Sequence, residues 1–353
     1  PIRWLFYTSG TTSNPKGALH SDAGLLAFSA GMAEVLDLRE DDRIAMVFPI
    51  THIGGAGWLI AGLMSGAAQI CTSIFSPDTT VELLDRHGVT QATAGTAFHQ
   101  VYLEAQREAG ERRLFPDVRT FPGGGAPKPP ALHDEIKRAF GGAGIISGYG
   151  LTECPIITMN RVTDPDEKLA HSEGRVNPCG VEVRIVSPEG RIQGSGQEGE
   201  ILAKGPQLCL GYLDSALDEK AFDAEGFFRT GDLGSLDPDG FLTITGRLKD
   251  IIIRKGENIS AKEVEDELHS HPGVADVAVI GLPDPDSGER CCAVVVPRDS
   301  KKPPSLEEIS LFLRERSLMI QKIPEQLEVI AELPRNATGK VLKFELRDRY
   351  SES

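Results

Sequence analysis

Residues 4–17 read Trp4-Leu5-Phe6-Tyr7-Thr8-Ser9-Gly10-Thr11-Thr12-Ser13-Asn14-Pro15-Lys16-Gly17. The aromatic and aliphatic run at the start suits a strand. The turn after it gathers hydroxyls, a glycine and a lysine. The segment 21–36 then predicts a helix, so the order reads strand, loop, helix. Such a turn suits a polyphosphate. Its N–H and O–H donors can wrap the oxygens while Lys16 neutralises charge. It is not a Walker-type loop. Counted from Gly10, Lys16 has the right spacing, but Pro15 stands at the second glycine position and Gly17 where a Ser or Thr would hold magnesium. A solvated Ser/Thr turn is the plain alternative.

Outward from this loop, apolar runs alternate with helical segments. Strands are predicted over 4–8, 43–47, 69–72 and 145–147, and helices over 21–36, 58–64, 77–86 and 130–140. That alternation is the pattern of βαβ units, and the fold class is α/β. From about Asp164 the texture changes to short strands broken by Gly, Pro and Asp, over 181–186, 199–204, 227–229 and 241–245. These predict a small antiparallel barrel or sheet. The stretch 194–199 is a literal GxGxxG, but a strand follows it, so it reads as a loop. Beyond the charged connector 247–250, a smaller α+β pattern runs to the end. The organisation is therefore 1–168 α/β, 169–246 barrel-like, 247–250 hinge and 251–353 α+β.

Composition narrows the function classes. The 353 residues carry 37 Lys plus Arg against 52 Asp plus Glu, a net charge of −15, with 40% hydrophobic residues. Disordered and fibrous classes are excluded. The negative surplus argues against non-specific nucleic-acid binding, which needs basic residues to neutralise phosphates. Six cysteines without a CxxC pair fit neither a disulfide scaffold nor a zinc site, so the chain reads as reduced and cytoplasmic. His269 and His271 have no further ligands near them in sequence and read as structural. The uncharged stretch 53–70 has the length of a spanning helix. Five Gly and four Ala among its eighteen residues, and no flanking basic or aromatic anchors, make it a buried core helix instead of a transmembrane segment.

The loop at 8–17 resembles the phosphate-binding loop of the adenylate-forming superfamily, which includes acyl-CoA synthetases, peptide-synthetase adenylation domains and luciferases. Five further stretches resemble that family's motifs in order: Gly124-Gly125-Ala126-Pro127, Gly148-Tyr149-Gly150-Leu151-Thr152-Glu153, Phe228-Arg229-Thr230-Gly231-Asp232-Leu233, Gly246-Arg247-Leu248-Lys249-Asp250 and Pro334-Arg335-Asn336-Ala337-Thr338-Gly339-Lys340. The fold implied is the later part of the family's large N-terminal domain with its smaller α+β C-terminal domain. Ser13 departs from the family, which has Gly there, and Ser does not tolerate every positive φ.

The resemblance assigns roles. Thr8, Ser9, Gly10, Thr11, Thr12, Lys16, Gly125, Ala126, Pro127, Tyr149, Gly150, Asp232 and Arg247 would bind ATP or AMP. Tyr149 offers an aromatic face to adenine, and the Asp232 carboxylate has acceptors for both ribose hydroxyls. Thr152 would offer a hydroxyl to phosphate and Glu153 a hard oxygen to Mg2+. Lys340 would bridge the substrate carboxylate and the α-phosphate, and with Glu153 and Thr152 is read as catalytic. Lys249 matches the hinge residue, Gly256 a place where backbone approaches coenzyme A, and His52 a residue at the acyl pocket. Each has a plainer reading: core for Tyr149 and His52, a solvated acid for Glu153, a hairpin turn for Gly256, surface cations for Arg247 and Lys340.

The implied reaction joins a carboxylic acid with an apolar body to coenzyme A. It passes through an acyl-adenylate made from Mg–ATP and releases pyrophosphate and AMP. Two alternatives stay open: loading a separate carrier protein, or nucleotide binding without catalysis. Whether the chain forms a homo-oligomer stays open as well. Because the family has a large region before its phosphate loop, a sequence starting at Pro1 is expected to be a fragment with weak or no activity alone.

Overall fold

The computed structural model describes residues 1–8, 15–72, 74–125, 128–336 and 339–351. Two compact units emerge: Pro1–Thr230 with Ser235–Ile244, and Gly231–Gly234 with Thr245–Ser353.

In the first unit, β1 (Ile2–Thr8) pairs antiparallel with β2 (Lys16–Ser21), Thr8 opposite Lys16. This corrects the strand–loop–helix expectation, because the hydroxyl-rich segment joins two strands. The cause is the pairing with β1, since Lys-Gly-Ala-Leu-His-Ser is a weak strand former by itself. Ala18 and His20 are buried and Leu19 less so, the two-residue period of a strand. Ser21 then caps helix α1 (Asp22–Val35), its hydroxyl accepting from Gly24 N at 3.1 Å. Lys16 therefore lies a whole strand before the helix start.

β3 (Arg43–Met46), α2 (Ile53–Ser65) and β4 (Ala68–Cys71) form a βαβ unit with parallel strands. Helix α2 is the glycine-rich stretch read above as a core helix. Glycine is required where its backbone approaches neighbours: a Cβ at Gly55 would lie 2.1 Å from Pro49 O, and one at Gly57 2.3 Å from Phe28 Cε2 on α1. Among the described residues, no helix is long and apolar enough to cross a membrane.

Next come α3 (Pro77–Arg86), α4 (Thr96–Ala109), β5 (Phe121–Gly124), α5 (Pro130–Phe140) and β6 (Ile145–Tyr149). β5 and β6 are parallel, with Gly124 opposite Gly148. Single parallel bridges at Ile44–Gln91 and Gln91–Thr120 link β3 towards β5. Tyr102, Phe115, Phe121 and Phe140 fill the core beneath, with Phe115 and Phe140 stacked at 5.5 Å between centroids. β7 (Thr158–Met159), α6 (Asp166–His171) and β8 (Arg175–Val176) complete this side.

The expected small barrel or sheet is a four-stranded sheet. It uses β9 (Glu182–Val186), β10 (Gly199–Lys204) and, after the short α7 (Asp218–Ala221), β11 (Phe228–Leu236) and β12 (Leu242–Arg247), in order β12-β11-β10-β9. The GxGxxG stretch is the loop leading into β10, with no helix after it.

The second unit holds β13 (Ile251–Arg254), β14 (Glu257–Ser260), α8 (Ala261–Leu268), β15 (Val274–Asp284), β16 (Gly288–Pro297), α9 (Leu306–Glu315), β17 (Gln326–Val329) and α10 (Lys343–Tyr350). Its sheet runs β14-β13-β16-β15, with β17 parallel to β16. Both faces are covered. Val277, Val279, Cys291, Ala293 and Val295 pack with residues of α8 and α9, while Ala278, Ile280, Cys292 and Val294 pack with Leu346 and Tyr350 of α10. A strand covered on both faces needs a continuous apolar run, which is what 291–296 supplies. Neighbouring Cys291 and Cys292 point to opposite faces and are both free.

Candidate active site

In the first unit, two of the quoted motifs follow the carboxyl ends of the adjacent parallel strands β5 and β6. That is where open α/β sheets place their ligands. Gly125 has φ of 82°, the left-handed region that favours glycine. Gly150 opens a turn that closes on itself: a Cβ there would lie 2.3 Å from Ile156 N, and Leu151 N donates to Cys154 O at 3.1 Å. Tyr149 packs with Cys154, Ile157 and Phe228, so most of its ring is core.

Thr152 and Glu153 are anchored from sequence-distant segments. His20 Nε2 lies 2.8 Å from Thr152 O, and since a carbonyl only accepts, Nε2 carries the proton. Burial lowers the pKa of His20 despite this bond, so the ring is neutral. Cys209 N donates to Glu153 O at 2.8 Å, and the Tyr212 hydroxyl donates to Glu153 Oε1 at 2.5 Å. Glu153 is 7% exposed. The segment carrying Tyr212 is laced to β2 by Leu19 N to Gly211 O at 3.0 Å and Leu213 N to Gly17 O at 2.7 Å. The Lys16 ammonium sits 5.3 Å from the centroid of the Tyr212 ring. The fold thus brings Lys16, Thr152 and Glu153 onto one frame. His20 and Tyr212, which sequence reasoning passed over, build that frame. The available signals were a lone histidine four residues after Lys16 and an aromatic directly after Gly211.

Does Glu153 suit Mg2+? Among the described residues no group of three or more His, Cys, Asp or Glu is gathered for a metal. Mg2+ is commonly held by one or two carboxylates together with substrate phosphates, not by an all-protein cage. With Oε1 engaged by Tyr212, Oε2 of an anchored carboxylate is the hard oxygen such an arrangement uses.

His52 is employed at the start of α2, where its Nδ1 accepts from Gly54 N at 3.1 Å and its ring stacks on Phe48. Burial lowers its pKa. Thr8 ends β1 opposite Lys16. Ser9, Gly10, Thr11, Thr12, Ala126 and Pro127 lie outside the described residues.

In the second unit, Arg247 Nε donates to Asp232 Oδ1 at 2.6 Å, and Asp232 is 6% exposed. Lys340 is half-buried on a turn closed by Asn336: Lys340 N donates to Asn336 Oδ1 and Asn336 N to Lys340 O, both at 3.0 Å. Burial, then the Arg247 guanidinium, lower the Lys340 pKa to about 8, with Asp232 and Asp250 pulling it the other way. Asp250 accepts from Arg347 at 2.7 Å. Asp232, Arg247 and Lys340 therefore share one electrostatic neighbourhood. Lys249 is exposed in the 3₁₀ turn Leu248–Asp250. Gly256 has φ of 83° in the turn between β13 and β14, and a Cβ there would meet nothing within 4 Å.

The AMP-binding enzyme family matches residues 2–213, and its C-terminal domain matches residues 263–340. The chain belongs to the AMP-binding enzyme family. Among the relatives of this AMP-binding chain is a medium-chain fatty-acid–CoA ligase of Escherichia coli (strain K12), 34% identical over 97% of this chain and 60% of that protein. ATP-bound MatB from Rhodopseudomonas palustris is 32% identical, with a TM-score of 0.89 over 99% of this chain and 68% of that one. The o-succinylbenzoate CoA synthetase MenE from Bacillus subtilis, solved with its acyl-adenylate intermediate, is 34% identical, with a TM-score of 0.84 over 98% of this chain and 68% of that one. The fold of the AMP-binding chain is that of these adenylate-forming enzymes, and the chain spans about two thirds of their length.

Proposed function

We propose that this chain serves an AMP-forming ligation of a carboxylic acid to coenzyme A. One observation carries it: a buried, anchored carboxylate, Glu153, shares the Tyr212 side chain with the Lys16 ammonium. An oxygen ligand for a metal beside a cation is what a metal–polyphosphate needs. The names of its relatives agree in reaction class.

In the first half-reaction a carboxylate oxygen attacks the α-phosphorus of ATP, and the bond to pyrophosphate breaks. Thr152 gives its hydroxyl to phosphate, and Lys16 meets the negative charge of the polyphosphate. Lys340 meets the charge on the attacking carboxylate and the α-phosphate. Asp232 accepts from ribose hydroxyls, held in place by Arg247. Mg2+, held at Glu153, would supply charge neutralisation on the phosphates. In the second half-reaction the sulfur of coenzyme A attacks the acyl carbon, and the bond to AMP breaks. Gly256 leaves its backbone open to the pantetheine, and Lys249 is the connector whose rotation separates the two steps. His52 borders the acyl group. We place the reaction in the cytoplasm.

The experiment is direct. Incubate the full-length protein with ATP, Mg2+ and a panel of carboxylic acids, and measure acid-dependent pyrophosphate exchange and acyl-CoA. Exchange with thioester on coenzyme A supports the proposal. Exchange with transfer only to a carrier protein redirects the acceptor. ATP binding without exchange for any acid would leave a nucleotide-binding module and refute the enzyme.

A further inference from the structure

Tyr212 belongs to none of the motif stretches quoted above, yet its backbone and its hydroxyl are both engaged. It is 5% exposed. Its backbone N donates to Asp218 Oδ1 at 2.9 Å, and it forms an isolated bridge with Ala18 of β2. Gly211 before it has φ of 125°, and a Cβ there would lie 2.7 Å from Asp218 Oδ2, so the approach to Tyr212 is set by backbone that only glycine fits. From this fixed base the hydroxyl reaches Glu153 Oε1 at 2.5 Å.

The chemistry of the pair is specific. A buried carboxylate needs hydrogen bonds to offset lost hydration. A hydroxyl supplies a strong, charge-assisted one without bringing a compensating charge. An ammonium or guanidinium at the same place would neutralise Glu153 and compete with a cation. The phenol leaves the negative charge intact, removes rotational freedom from the carboxylate, and engages one of its two oxygens. The same ring presents its face to Lys16.

We propose that Tyr212 is a positioning residue. It fixes Glu153 so that Oε2 is presented to the divalent cation that accompanies the polyphosphate. This rests on the reading of Glu153 as the metal carboxylate, and it adds a residue that holds that carboxylate from outside the six stretches quoted above.

The test reads metal binding directly. Mn2+ is titrated into the protein with saturating α,β-methylene-ATP, and free Mn2+ is followed by electron paramagnetic resonance. Tyr212→Phe keeps the ring and removes the hydroxyl. It should weaken Mn2+ in the ternary complex about tenfold, the usual effect of losing an outer-shell partner. Affinity for the analogue without metal should stay within about twofold, because the ring still faces Lys16. In a Glu153→Gln background, Tyr212→Phe should cost nothing further. Unchanged Mn2+ affinity in Tyr212→Phe, with weakened affinity in Glu153→Gln, overturns the role of Tyr212 and spares that of Glu153. A fresh tenfold loss in the double variant also overturns it. Unchanged affinity in both single variants removes the metal role of Glu153 and this inference with it. A melting temperature for each variant without ligand separates these outcomes from loss of fold.

Discussion

Arg247 Nε donates to Asp232 Oδ1 at 2.6 Å, and the Asp232 carboxylate is almost wholly buried. One oxygen is thereby oriented by a planar guanidinium, which restricts how the other can be approached. Removing Arg247 takes a charged hydrogen-bond partner from a buried acceptor. Arg247→Leu should lower the unfolding free energy by about 1–3 kcal/mol and weaken ATP about tenfold or more. Arg247→Lys should recover stability better than nucleotide affinity, since a point charge does not reproduce the guanidinium geometry. Urea unfolding and calorimetric titration with ATP check the two parts. Full ATP affinity in Arg247→Leu would remove the ribose-side role.

Lys340 carries a pH prediction. Burial first and Arg247 second hold its pKa at about 8. The proposed role needs the ammonium, so kcat/KM for ATP in pyrophosphate exchange should fall as pH rises through about 8, because that quantity follows the free enzyme. Lys340→Arg should shift this alkaline limb to higher pH, and Lys340→Ala should suppress exchange at every pH. Stability moves oppositely. The native state loses this proton near 8 and the unfolded chain near the ordinary lysine value, so between them the unfolded chain binds more protons. Unfolding free energy from this group therefore rises with pH across that window. A flat rate profile between pH 7 and 9 would contradict the assignment.

The cysteines test the packing. Burial raises the thiol pKa of Cys291 and Cys292 to about 12, and Cys154 is driven up by burial too. Cys71 is exposed. In native protein at pH 8, iodoacetamide should label Cys71 while Cys154, Cys291 and Cys292 react only after denaturation. Peptide mass spectrometry reads the order. Rapid native labelling of Cys291 or Cys292 would show that the two-sided sheet of the second unit is not formed as described.

Helix α2 offers a test that runs against propensity. Alanine is the better helix former, by about 1 kcal/mol over glycine. At Gly55, however, the added methyl would meet Pro49 O at 2.1 Å. Gly55→Ala should therefore destabilise, by about 1–3 kcal/mol, and lower the melting temperature in calorimetry. A higher melting temperature would mean that the helix packs less closely than this.

How far was this readable in advance? Helices α3 and α5 begin at Pro77 and Pro130, where the sequence places them, because proline suits a first helical turn. The strand beginning at Gly199 ends where expected, since its apolar residues are consecutive or alternate cleanly. Strand β2 was not legible: Lys-Gly-Ala-Leu-His-Ser is a weak strand former, and only pairing with β1 makes it one. Helix α4 hid in the same way, because its polar face carries much of its sequence.

The motif order along the chain was written in the sequence, and so was the chemistry that each residue type could offer. Short-range periodicity and fixed residue identities need no partner to be read. What only the tertiary structure decided is which groups meet. Tyr212 reaches Glu153 across 59 positions and His20 reaches Thr152 across 132. The lowered pKa of Lys340 arises from burial and from Arg247, far away in sequence. Such pairings depend on strand register and chain crossings, and electrostatic effects on distance through space. Neither is a property of a local stretch of residues.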